Sequence, residues 1–229
     1  MLLLKHRPQS ALVFCNTRKE SDEVALELRT HGFAAQALHG DLDQRARDQM
    51  LVCFANRSIS ALVATDVAAR GLDIDDLDLV INYHLAREPE VHVHRVGRTG
   101  RAGARGTACS LFTARETYKL ERLEDSLGQP LESEPLPSYD LLKKPAYRPA
   151  MVTLQIDGGR KPKVRPGDVL GALTGANGIA GKQVGKISIF DYCAYVAVER
   201  DAAKPALRKL GEGQIKGRSF RVRRINVNR

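Results

Sequence analysis

Short, wholly apolar runs separated by amphipathic stretches constrain this chain more than any other feature. Ala11-Leu12-Val13-Phe14-Cys15, Ala61-Leu62-Val63-Ala64 and Leu79-Val80-Ile81 are apolar at every position. Runs this short and this uniform read as strands buried on both faces. The stretches between them have helical period. Thr17 supplies an N-cap with Glu20 three residues on, Val24 and Leu28 share a face, and Gly32 is the stop. Ala35–Leu38 reads as a further strand, Gln44–Phe54 and Glu88–Val96 as helices, Thr107–Phe112 as a strand and Arg115–Leu127 as a helix. Such alternation predicts an α/β fold, a parallel sheet covered by helices on both faces. In these folds ligands gather at the C-terminal ends of the strands, so the loops after the strands are where chemistry is sought.

The alternation stops at residue 128. Residues 129–150 hold Pro130, Pro135, Pro137, Pro145 and Pro149 and no period, which predicts a linker or an extended strap. Beyond it the order becomes strand Val152–Ile156, helix Pro166–Leu173, strands Val184–Ile189 and Ala194–Val198, helix Ala202–Leu210, strand Phe220–Val227. That βαββαβ order predicts an α+β ferredoxin-like domain, the arrangement of RNA recognition modules. The expected organisation is therefore an α/β lobe over 1–128, a Pro-rich linker over 129–150 and an RRM-like domain over 151–229. Charge divides at the same place. Residues 1–150 carry 20 Lys+Arg against 21 Asp+Glu and residues 151–229 carry 16 against 6, so the net +9 resides in the last third. A module that basic predicts a polyanion ligand, with nucleic acid the first candidate and a merely soluble cationic surface the alternative. No apolar run approaches the ~20 residues of a membrane span, and no membrane partner is expected. The four cysteines form no C-x-x-C pair, which excludes a zinc ribbon or disulfide scaffold and suits a reducing cytoplasm.

One segment concentrates chemistry in the first part. His94-Arg95-Val96-Gly97-Arg98-Thr99-Gly100-Arg101 has three arginines among glycines, and Arg98 and Arg101 are spaced to share a face. Guanidinium forks match phosphate oxygens in two-point geometry and stay charged at any useful pH. A surface salt-bridge cluster is the plainer reading. Three further blocks sit at predicted strand ends: Phe14-Cys15-Asn16-Thr17, His39-Gly40-Asp41 with Gln44-x-x-Arg47, and Ala64-Thr65-Asp66-Val67-Ala68-Ala69-Arg70-Gly71-Leu72-Asp73. A metal site from His84, His92 and His94 lacks a completing carboxylate or thiol, so no metal is expected. The acidic turn Asp73, Asp75, Asp76, Asp78 lacks the glycine and terminal glutamate of a calcium loop.

These four blocks, in this order, resemble the second RecA-like lobe of a DEAD-box RNA helicase over residues 11–128. The resemblance implies that Arg98 and Arg101 are catalytic arginine fingers reaching the terminal phosphate of ATP. It implies that Gly71 and Asp73 bind the ribose side of ATP, and that His94 and Arg95 contact the other lobe. It implies that Thr17, Gly40, Arg47 and Thr65 hold the backbone of a bent RNA strand. ATP with Mg2+ is the implied cofactor, held mainly by a first RecA-like lobe that the sequence lacks. No G-x-x-x-x-G-K-[ST] loop is present. Gly181-Lys182-Gln183 is a decoy, because Ala176 stands for its first glycine and Gln183 for the hydroxyl. The chain is therefore expected to be the C-terminal part of a longer ATP-dependent RNA helicase and inactive as an ATPase alone.

The last domain resembles a degenerate RNA recognition motif. Tyr195 is the one aromatic at a third-strand signature position, Cys193 stands at the other, and Thr153 replaces the first-strand aromatic. Weak base stacking on the sheet is therefore expected, with Tyr195 as plain core the alternative. Binding is expected to use cationic loops instead: Arg160, Lys161, Lys163 and Arg165, then Lys182 and Lys186, then Lys216 and Arg218, with Tyr195 added. Asp157-Gly158-Gly159 with its basic run, and Arg165-Pro166-Gly167-Asp168, resemble the RNA-targeting domain of one bacterial branch of the DEAD-box helicases. That resemblance implies a hairpin of large-subunit ribosomal RNA as partner, and remodelling of ribosomal RNA in subunit assembly as the task. A related cold-shock DEAD-box helicase and a non-catalytic RNA-binding chaperone are the alternatives.

Overall fold

The computed structural model of the chain describes residues 1–70, 74, 76–100 and 106–226. The apolar runs become the strands of one parallel sheet. These are β1 (Ala11–Cys15), β2 (Ala35–Leu38), β3 (Ala61–Thr65), β4 (Leu79–Asn82) and β5 (Thr107–Ser110), in the order β2-β3-β1-β4-β5. Cys15 lies opposite Thr65, Phe14 opposite Asn82 and Asn82 opposite Ser110, so the C-terminal ends of four strands are level. The helices that alternate with or flank these strands along the chain are α1 (Leu2–His6), α2 (Arg18–Thr30), α3 (Gln44–Ala55), α4 (Asp66–Ala69), α5 (Pro89–Val96) and α6 (Thr117–Leu127). The leucine run at the N-terminus is core: Leu3 and Leu4 are buried in α1. No helix among the described residues is long and apolar enough to cross a membrane.

Residues 1–47 and 60–148 form one compact unit; residues 48–59 and 149–229 form the other. The proline-rich segment is a strap on the first unit rather than a free linker. Tyr147 packs edge-on against Phe33 with ring centroids 5.7 Å apart, and the Arg7 guanidinium lies 5.5 Å from the Tyr147 centroid. Leu141 and Ala146 join the same core, and the backbone N–H of Leu131 donates to Glu124 Oε1 at 2.8 Å. Prolines deny this segment a ladder of its own, so its side chains hold it down.

The second unit carries β6 (Met151–Ile156), α7 (Pro166–Thr174), β7 (Val184–Ile189), β8 (Ala194–Glu199), α8 (Ala203–Glu212) and β9 (Val222–Arg224). Its antiparallel sheet has the order β7-β8-β6-β9. Val152, Leu154 and Ile156 alternate onto the face that packs with Val169 and Leu173 of α7 and with Ala206 and Leu210 of α8. Fully burying each of these leucines contributes roughly 1.5–3 kcal/mol. The last strand has three residues, against the eight expected from Phe220 to Val227. Phe220 turns instead onto Gly158, where any Cβ would stand 2.5 Å from the ring.

One buried imidazole makes the first unit sensitive to acid. His92, on α5, is 8% exposed and its Nδ1 has no hydrogen-bond partner. Burial, and then the nearby Arg95 charge, hold its pKa below the usual imidazole value. The unfolded imidazole therefore takes up a proton that the folded one refuses. Stability should be level above about pH 6.5 and fall as pH drops below it. Denaturant titrations on either side of that pH should show His92→Leu flattening this limb.

Candidate functional site

Arg95 organises the C-terminal ends of the strands. It is 2% exposed, and its Nε and Nη2 donate to the two oxygens of Asp66, each at 2.7 Å. Its Nη1 donates to the backbone oxygen of His84 at 3.1 Å and to Asn82 Oδ1 at 3.4 Å, while Nη2 reaches Asn16 Oδ1 at 3.5 Å. The guanidinium also stands 5.1 Å from the Phe14 ring centroid. Asn82, fully buried, passes the network on by donating to Ser110 Oγ at 2.8 Å. Glu20 closes the other side: one carboxylate oxygen accepts from the backbone of Asn16 at 2.9 Å and the other pairs with His84 Nε2. One cation therefore ties together the ends of β1, β3 and β4, and through Asn82 that of β5.

Beside this clamp lies a cleft of about 270 Å³ whose lining includes Phe14, Asp66, Arg70, His94, Arg95 and Arg98. The charge of Arg95 is spent on Asp66. Among the described residues, the exposed Arg70 and His94 and the half-buried Arg98 are the remaining polar lining, which suits an anion. The turn carrying Arg98 is held by its backbone: Leu77 N–H donates to the Arg98 oxygen at 3.1 Å, and the Thr99 hydroxyl donates to the Leu77 oxygen. Gly106 is required there, since a Cβ would fall 1.6 Å from Thr99 Oγ1.

A second set of groups lines the same edge of the sheet. Thr17, exposed after β1, accepts from the Glu20 N–H at 3.2 Å, which leaves its own hydroxyl proton to donate. Gly40, exposed after β2, has open space where a Cβ would stand. Thr65 ends β3 and is half-buried. Because β3 lies between β2 and β1, these three form a row across neighbouring strands. The loop after β2 is steadied by Arg18 on Asp41 at 2.5 Å and by His39 on Asp22 at 3.1 Å. Arg47 is partly committed: its Nη2 donates to the Ala68 carbonyl at 2.8 Å.

In the second unit the basic residues divide between two places. The loop after β6 docks onto the β7–β8 hairpin: Arg160 N–H donates to the Phe190 oxygen and Lys161 N–H to the Asp191 oxygen, both at 2.8 Å. Gly159 makes this possible, because a Cβ there would fall 2.2 Å from the Phe190 oxygen. The same loop meets the segment before β9, where Lys216 Nζ lies 3.4 Å from the Lys163 oxygen and Lys163, Lys216 and Arg218 share a groove of about 110 Å³. Arg160, Lys161, Lys163, Arg165, Lys216 and Arg218 are exposed at this end of the sheet. Lys182 and Lys186 are also exposed, but Lys182 precedes β7 at the opposite end and Lys186 sits within that strand.

Comparison with known proteins finds two family matches along the chain. Residues 1–103 match the helicase conserved C-terminal domain, and residues 153–224 match the DbpA RNA binding domain. The ATP-dependent RNA helicase DbpA of Escherichia coli is 50% identical over 97% of this chain and 48% of its own length. Its Bacillus subtilis namesake is 33% identical over 98% of this chain and 51% of its own length. Among solved structures, Escherichia coli DEAD-box protein SrmB aligns over 65% of this chain and 85% of that one, at 34% identity and TM-score 0.56. The chain belongs to the DbpA-type DEAD-box helicases. It spans about half the length of the curated relatives it matches.

Within this DEAD-box frame the structure corrects two expectations. Arg95 does not face another lobe; it is buried under the strand ends, because Asp66 and Asn82 together satisfy its guanidinium. Tyr195 is no stacking platform for RNA: it is 1% exposed with its ring edge-on to Phe190 at 5.5 Å. Thr153, on the neighbouring strand, is equally closed, hydrogen-bonded by Asn56 Nδ2 at 3.1 Å and by Ser58 Oγ at 2.7 Å. Arg101, Gly71 and Asp73 lie outside the described residues. Sequence reading missed Asp66, Asn82 and Glu20 as partners of the clamp. Asp66 stood in a quoted motif, but nothing local signals that its charge is taken up 29 residues away.

Proposed function

We propose that this chain is the ATP- and RNA-binding C-terminal half of an ATP-dependent RNA helicase that remodels ribosomal RNA. The observation that carries the reading is the level row of strand ends. There, donor groups for a sugar–phosphate backbone and a cationic cleft for a nucleotide stand on one edge. Thr17, Gly40 and Thr65 offer a hydroxyl, an open backbone and a second hydroxyl, which read phosphates and sugars rather than bases. Arg98 faces the cleft where a transferring phosphoryl group would develop charge, and Arg101, Gly71 and Asp73 complete the nucleotide contacts by resemblance. Asp66 is neutralised by Arg95, so among the described residues the cleft turns cations toward phosphate oxygens. We assign Mg2+ and most of the triphosphate to a preceding RecA-like lobe, where the metal would neutralise the phosphate oxygens. ATP and RNA then favour one closed arrangement of the two lobes, and that shared state couples them. The cytoplasm fits the four free cysteines.

The second unit supplies targeting, and its cationic loops fit a structured RNA such as a hairpin of large-subunit ribosomal RNA. Contacts of this kind release counterions, so affinity should fall linearly on a logarithmic salt scale, with a slope of about −0.7 to −0.9 per phosphate contact. Six exposed cations at one end of the sheet lead us to expect a loss of about a hundredfold or more between low and moderate salt. Equilibrium binding of the chain to a ribosomal RNA hairpin across a salt series is the test. A curve flat in salt, or duplex DNA competing as well as the hairpin, would refute the reading.

A further inference from the structure

With Tyr195 closed, the sheet face offers no ring from that position, and another aromatic stands where the basic loop docks. Tyr192, at the tip of the β7–β8 hairpin, is 73% exposed. Its neighbour Asp191 is gripped from two sides: its backbone oxygen accepts from the Lys161 N–H at 2.8 Å, and its carboxylate lies 3.5 Å from Arg160 Nη1. The hairpin itself is closed by Phe190 N–H on the Cys193 oxygen at 2.8 Å. The tip is thus a hydrogen-bonded backbone bearing an exposed ring, with Arg160 and Lys161 docked on the residues beside it. Aromatic rings beside backbone-tracking cations are how proteins take up unpaired bases, and each stacked base counts without regard to sequence.

We propose that Tyr192 is a base-stacking residue, taking an unpaired nucleobase of the RNA whose phosphates meet Arg160 and Lys161. The proposal rests on the RNA-binding reading above and moves base contact from the sheet face to the hairpin tip. Asp191 then has a role as well: its carboxylate, 3.5 Å from Arg160 Nη1, holds that guanidinium at the hairpin tip and neutralises part of its charge. Phenylalanine should replace Tyr192, because stacking uses the ring face and not the hydroxyl.

The test compares the whole chain with its Tyr192→Ala and Tyr192→Phe variants, binding an RNA hairpin with an unpaired loop and a blunt RNA duplex of equal length. The expected result is a loss of about 5- to 150-fold for the hairpin in Tyr192→Ala. Tyr192→Phe should bind like wild type, duplex affinity should be unchanged, and the salt slope should be unaltered because no cation has been removed. The chain has no tryptophan, so Tyr192→Trp provides a single tryptophan, excited selectively over the tyrosines, whose emission should be quenched by the hairpin and not by the duplex. Equal hairpin affinity in wild type and Tyr192→Ala, or no quenching in Tyr192→Trp, overturns the proposal and leaves the RNA-binding reading standing. Failure of the wild-type chain to bind either RNA overturns both.

Discussion

In the intact enzyme, Arg98→Ala should lower RNA-stimulated ATP turnover by about 10³–10⁵, the range known for arginines that act on a transferring phosphoryl group. The expectation follows from the cleft. Among the described residues its lining holds one acid, Asp66, already paired in two-point fashion with Arg95. Arg70 and His94 share that lining, and on the proposed reading, with Arg98 where phosphoryl charge develops, removing its charge is felt mainly in the rate of the chemical step. Arg98→Lys should recover only part of the loss, since an ammonium is a point charge without the two-point fork. RNA affinity measured without nucleotide should be unchanged, because the cationic loops of residues 160–165 and 216–218 are untouched. Steady-state phosphate release by the variants is the measurement, and turnover within tenfold of wild type for Arg98→Ala would remove Arg98 from the mechanism.

The largest stability effect should come from Asp66→Ala, at about 3–5 kcal/mol. Removing Asp66 leaves the Arg95 cation 2% exposed with only neutral acceptors at 3.1–3.5 Å. Asp66 itself is one-third exposed, so solvent relieves part of the cost and the lower end of that range is expected. Arg95→Met leaves Asp66 near solvent and should cost less. The double variant Asp66→Ala/Arg95→Met should recover much of the loss, because no unpaired charge remains and the methionine can pack on Phe14. Urea denaturation of the four proteins gives the coupling directly. If the two single costs simply add, the pair is not a clamp. In the intact enzyme, loosening the clamp should also raise the amount of RNA needed for stimulation, since the ends of β1 and β3 carry Thr17 and Thr65.

Much of this was readable before any coordinates. Apolar runs such as Ala11–Cys15 have nowhere to go but a covered parallel sheet, and the observed strand begins and ends at the same residues. Thr17 and Glu20 gave the start of α2, although the Glu20 carboxylate caps Asn16 rather than Thr17. The βαββαβ order and the concentration of positive charge after residue 150 located the basic unit. Local signals were weakest where a residue's fate depends on a distant partner. Arg95 stands in a run of exposed-looking cations, and its neighbour His94 is indeed exposed. A helix face turned toward Asp66 and Asn82, far away in the chain, decides between them. Tyr195 shows the same limit: strand alternation predicts which face it takes, and whether that face is open depends on what packs over it.

Element order, strand identity, the charge division and the chemical character of each loop are properties of the chain taken locally. They follow from side-chain periodicity, capping geometry and proline's missing donor, none of which needs a partner. Which cation is a buried strut and which lines a cleft, which tyrosine is closed and which stands free, and where the proline-rich segment lies were decided only by tertiary structure. Those outcomes depend on desolvation and on hydrogen-bond partners supplied from tens of residues away, and a guanidinium's energy is set by what surrounds it rather than by its neighbours in sequence.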